Sequence, residues 1–127
     1  MDRPKLFENG VIPESIKEQN DGVHRHRKEK ITEDRETFQE QLESYRKNKD
    51  TLEDDHQAWL RNRLLELGVQ IAKREEIVRR YEEDPNWNYT LGENDEMEFK
   101  VKVMEEIGYP EEQMVSIRRH LEDLRKK

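Results

Sequence analysis

The sequence predicts an all-α protein: an elongated helical hairpin or bundle with one long amphipathic, coiled-coil-like helix and a C-terminal αα-hairpin. Three observations predict it. Ile31, Phe38, Tyr45, Leu52 and Trp59 recur every seven residues, close to two helical turns, which sets five bulky side chains in one lengthwise row. Two shorter stripes follow at three- and four-residue intervals: Met97, Val101, Met104 and Ile107, then Met114, Ile117, Leu121 and Leu124. Finally, the 127 residues are 43% charged and only 31% hydrophobic, too little apolar material for a thick, many-layered core. Such a chain is expected to be extended, or to complete its burial against another copy or a partner.

Residues 1–30 read as an extended, partly flexible arm. Pro4, Gly10, Pro13 and Gly22 interrupt any helical period there, although Glu14 and Ser15 after Pro13 suit the opening of a short helix to about Gln19. Residues 31–83 read as the long helix. Thr32 suits its N-cap, and Glu33, Asp34 and Glu36 put negative charge near its positive end. A second seam is poor, since Leu42 is followed at seven-residue steps by Lys49, His56 and Arg63. That favours a loose antiparallel hairpin or bundle contact over a strong parallel coiled coil, with Lys49 and Asp50 as a local weak point. Beyond Trp59 the stripe shifts to Leu60, Leu64, Leu67, Ile71, Val78 and Tyr81. Gly68 is a candidate stop, but the three-four spacing crosses it, so a continuous helix is preferred at a cost of about 1 kcal/mol relative to Ala.

Residues 84–95 carry turn chemistry, and Trp87 and Tyr89 would be wasted in a free linker, so a structured loop packed on the helices is expected. Residues 96–127 form the hairpin, divided by Gly108, with Pro110, Glu111 and Glu112 suited to the first turn of the last helix.

A net charge of -7 disfavours nonspecific attachment to nucleic acid or anionic membrane. Without cysteine there is no disulfide, thiolate nucleophile or Cys-based zinc site. No stretch has the length of a signal-peptide core or a membrane span, so a soluble, cytoplasmic protein without membrane attachment is expected.

Chemical motifs are few. From Asp84 the chain resembles an EF-hand calcium loop, with Asp84, Asn86 and Asn88 at the first three oxygen-ligand places, Leu91 at the apolar eighth and Asp95 at the twelfth. Tyr89 stands where the sharp turn needs Gly, Pro85 is unusual in second place, and Asp95 is shorter than the bidentate Glu. An ordinary interhelical loop is the preferred reading, with no cofactor or metal. The basic run from His24 to Lys30, through Arg25, Arg27 and Lys28, could touch phosphate or an acidic protein, but no aromatic is interleaved for base stacking, and a solvated or protein-docking arm outranks nucleic acid. Histidines lack metal-ligand spacing, and the single Glu53-to-His56 interval cannot make a di-iron site alone. No phosphate loop or nucleophile elbow is present, so catalysis is not expected.

The segment from Val103 to Gln113 resembles the first helix and loop of ubiquitin-associated domains, with Gly108 and Tyr109 in the turn that meets ubiquitin and Ile107 where the family has Met. The chain ends after what would be the family's second helix, so the turn is read as a helix breaker, with Tyr109 and Met114 as an expected contact surface. The function expected by elimination and shape is non-enzymatic protein–protein interaction, as an adaptor, assembly subunit or modulator, through homo-oligomer or partner contacts. Its expected interaction residues are Ile31, Phe38, Tyr45, Leu52, Trp59, Trp87, Tyr89 and Tyr109, since large rings dominate interface hot spots. A viral structural or accessory component has the same composition.

Overall fold

The computed structural model describes residues 14–84 and 90–126. Four helices account for the fold, with no strand among the described residues: α1 (Glu14–Asn48), α2 (Asp54–Glu83), α3 (Glu93–Ile107) and α4 (Glu111–Arg125). At 1.5 Å per residue, the 35-residue α1 is about 52 Å long.

α1 and α2 form an antiparallel hairpin. Ion pairs fix the direction: Lys28 meets Glu82, and Asp34 and Arg35 meet Arg74 and Glu75 in turn. Between the rods, Phe38, Leu42 and Tyr45 pack with Leu64 and Ile71, and Leu42 is only 1% exposed.

Two boundaries differ from those the sequence suggests. The helix expected from residue 31 begins at Glu14, so most of the expected arm is helical. Thr32 is no N-cap; its hydroxyl donates to the Lys28 carbonyl inside the helix, at 3.2 Å. Long-range anchors hold this early stretch: the Lys28–Glu82 pair and a stack of His24 on Tyr81. The helix runs through Gly68, as the three-four spacing predicts, but an interruption comes earlier, at residues 49–53, where a continuous helix is expected. A 3-10 turn at Lys49–Thr51 leads into extended backbone at Leu52 and Glu53. Side chains there take over backbone carbonyls: Asn48 donates to Ser44 O at 2.9 Å, Thr51 to Asn48 O at 2.7 Å, and Gln57 to Leu52 O at 2.8 Å. Short polar side chains compete with helix propagation in this way, and here they reverse the chain.

Gly68 lies inside α2 and serves packing. A Cβ there would come within 2.4 Å of Val103 Cγ1, so its absence lets α3 approach the hairpin closely. α3 runs antiparallel to α2 along one side of the hairpin, tied by Lys73 to Glu96 and by Arg80 to Asp95. Gly108, at φ 92°, ends α3 in the left-handed region that glycine enters without penalty. α4 folds back along α3, burying Met114, Leu121 and Leu124 and pairing Arg118 with Glu105 and Arg125 with Glu98.

Candidate interaction surface

The α3–α4 hairpin covers only one flank of the α1–α2 hairpin. On the opposite flank, α1 presents Thr37, Gln41, Ser44 and Asn48, and α2 presents Leu60, Arg63, Leu67 and Gln70. Two shallow clefts lie end to end along this flank, of about 480 and 500 Å³, and share Gln41 and Arg63. Tyr45, Leu52, Leu60 and Leu64 supply the apolar part of the one nearer the chain reversal.

Trp59 stands beside that cleft and is 56% exposed. The reversal at 49–53 explains this position, because it breaks the seven-residue row and starts a new helix whose buried face runs through Leu64, Ile71 and Val78. Trp59 falls off that face. Its ring packs under the Arg63 guanidinium, 5.4 Å from carbon to centroid, and tilts against His56 at 6.2 Å. Cation–π contact holds the indole in place while leaving it open to solvent.

The expected interaction residues therefore separate. Phe38 and Tyr45 are core residues, Ile31 is half-buried against the same core, and Leu52 lies half-buried in the connection. Trp59 is the one exposed member of the row, while Tyr45 and Leu52 show only their edges in the cleft. Trp87 and Tyr89 lie outside the described residues. Tyr109 and Met114 do not form an exposed contact surface: both are buried, and the Tyr109 hydroxyl donates to Asn62 Oδ1 at 3.0 Å while Arg61 lies over its ring. Burial pushes the Tyr109 phenol up to about 12. The turn is thus committed to α2 and not free to meet a partner.

The basic run is largely used within the fold. Arg27 donates to His24 Nδ1 at 2.9 Å, Lys28 meets Glu82, and Lys30 lies near Glu33 and Asp34, leaving Arg25 exposed. His24 itself is 4% exposed, with its ring stacked on Tyr81, whose hydroxyl donates to Asp21 Oδ1 at 2.6 Å. Desolvation, and secondarily the Arg27 charge, lower the His24 pKa. Sequence reasoning missed this cluster because one histidine in a charged run carries no periodic signal; its seven-residue offset from Ile31 was the available clue.

Of the calcium-loop residues, Asn86 and Asn88 lie outside the described residues. Asp84 ends α2. Asp95 is engaged on both oxygens: Oδ2 accepts the Gly92 N–H at 3.0 Å, capping α3, and Oδ1 accepts from Arg80 at 2.9 Å. No group of three potential metal-ligating side chains occurs among the described residues.

A further cleft of about 490 Å³ lies between α1, α2 and α3, with Phe38, Gly68, Ile71 and Val103 in its floor. Four of its rim charges pair with each other, Arg35 with Glu75 and Arg79 with Glu76.

Fold and surface together define a class: a helical hairpin braced on one flank by a second, shorter hairpin and open on the other. No protein-family model, curated protein or solved structure matches the chain. No described helix is long and apolar enough to cross a membrane.

Proposed function

We propose that this chain is a non-enzymatic protein-interaction module, an adaptor or assembly subunit, that presents the open flank of its α1–α2 hairpin to another protein in the cytoplasm. The observation that carries this reading is Trp59, a large ring 56% exposed and pre-positioned by Arg63 beside a partly apolar cleft. Tryptophan beside a pocket is the side chain most enriched among interface hot spots, and a ring already held in place loses little entropy on binding. The residue types in the cleft support the same reading. Tyr45, Leu52, Leu60 and Leu64 offer apolar contact, and Gln41, Ser44 and Asn48 offer hydrogen bonds, with no convergent acid, base or nucleophile.

The test places a photo-crosslinking benzoylphenylalanine at position 59 in the native host. A second sample carries it at Val115, which is 48% exposed on α4, away from the open flank. Covalent products with protein are expected at 59 and not at 115. Equal yields at the two positions, or none at 59, would overturn the reading.

A further inference from the structure

Four residues of α2 form one outward line on the open flank at steps of four, three and four: Trp59, Arg63, Glu66 and Gln70. All four are exposed. Several charges of the fold are paired across helix boundaries, Lys28 with Glu82, Arg35 with Glu75, Arg74 with Asp34 and Lys73 with Glu96. Arg63 and Glu66, the charged residues that line the clefts of the open flank, have no such pairing. Neither has an oppositely charged partner among the described residues, and both border the same cleft.

The spacing of the line is the same from either end. A cation and an anion sit at its centre, and an antiparallel copy centred between them sets Arg63 against Glu66 and Glu66 against Arg63. The same register carries Trp59 over Gln70 of the other copy. Two-fold symmetry requires such a self-complementary patch, in which each contact occurs twice. We infer that the occupant of the open flank is a second copy of this chain, related by a two-fold axis between Arg63 and Glu66, so that two α1–α2 hairpins pack face to face. The inference rests on the reading of this flank as a docking surface and names its partner.

Charge exchange in trans tests it. Wild-type protein is expected to sediment at twice the 15.5 kDa chain mass and to dissociate more readily at high salt. Arg63→Glu and Glu66→Arg each turn two attractive contacts into two repulsive ones, and each alone is expected to weaken dimerisation by about tenfold. Mixed together, the two variants restore both pairs: the introduced Glu meets the introduced Arg, and the native Glu66 meets the native Arg63. A heterodimer of near wild-type affinity is therefore expected from two chains that associate poorly by themselves. Circular dichroism of each variant checks that both remain folded.

A wild-type chain that stays at 15.5 kDa to millimolar concentration overturns the inference. Position 59 cross-linking to a different protein in that case would leave the docking flank standing and replace only its occupant. A dimer whose affinity ignores both single variants, or is not restored by mixing them, would overturn the two-fold register.

Discussion

Gly68 meets Val103 with no room for a side chain between them: a Cβ on Gly68 would stand 2.4 Å from Val103 Cγ1 and 3.1 Å from Phe38 Cε2. Two effects oppose each other in Gly68→Ala. Helix propensity favours alanine by about 1 kcal/mol. Overpacking a filled core costs about 1–3 kcal/mol, and the obstacle here is a short branched side chain with nowhere to swing. Packing wins, so the variant is expected to melt lower than wild type. Shortening the obstacle reverses the sign: in a Val103→Ala background the same substitution becomes neutral or stabilising. Thermal unfolding of the four proteins of this double-mutant cycle measures the coupling directly.

The His24–Tyr81 stack makes stability depend on pH. In the fold His24 Nδ1 accepts a hydrogen bond from Arg27, which a proton on that nitrogen would abolish, and burial already lowers its pKa from 6.5. The unfolded chain therefore takes up the proton at a higher pH than the folded one. Stability from this site is complete above about pH 6.5 and falls as the pH drops from there through the folded-state pKa. His24→Phe keeps a ring against Tyr81 and removes the proton site. Denaturant melts between pH 8 and 5 are expected to show a steeper loss in wild type than in this variant; parallel curves would remove His24 as the cause.

How much of this was legible depended on whether the signal was periodic. The α3–α4 hairpin was readable because Met97 to Leu124 repeat at helical intervals and Gly108 with Pro110 punctuates them. The seven-residue row was readable as a pattern and misleading as a rod. Phe38 and Tyr45 obey it, but Leu52 sits in extended backbone and Trp59 on a different helix with a different buried face. What ended α1 was a set of side-chain bonds from Asn48, Thr51 and Gln57 to nearby carbonyls, visible beforehand only as a weak point at Lys49 and Asp50. Gly68 illustrates the converse. Its residue type suggested a break, and only the position of Val103 shows that the missing side chain is a packing device. The open flank was illegible for a related reason: Arg63 and Glu66 look like any other charges until the partners of the surrounding ones are known.

Asp95 should behave as a cap and not as a calcium ligand. One oxygen accepts the Gly92 N–H and the other the Arg80 guanidinium, so a cation would have to displace both. Asp95→Ala is expected to cost about 1–2 kcal/mol, mostly from the lost cap, with a smaller share from the half-exposed ion pair. Asp95→Asn retains an acceptor oxygen and should cost less. Millimolar calcium is expected to leave the wild-type melting temperature unchanged, whereas a specific bound ion would raise it. A calcium-dependent rise that disappears in Asp95→Asn would defeat this assignment.

Phe38 and Trp59 belong to the same seven-residue row, and truncating them should have opposite consequences. Phe38 is buried where α1, Gly68 of α2 and Val103 of α3 converge, so Phe38→Ala leaves a cavity that small residues cannot fill and is expected to cost about 3–5 kcal/mol. Trp59 contacts mainly Arg63 and His56 and faces solvent, so Trp59→Ala is expected to change stability by no more than about 0.5 kcal/mol in the dissociated chain. Association reverses the ranking, because the indole then loses a buried contact in each copy and dimer affinity falls. Chemical denaturation at high dilution reads the first effect, and sedimentation at high concentration reads the second. A Trp59→Ala chain that unfolds as readily as Phe38→Ala would mean that the indole is part of the core after all; one that associates like wild type would mean that the exposed ring has no docking role.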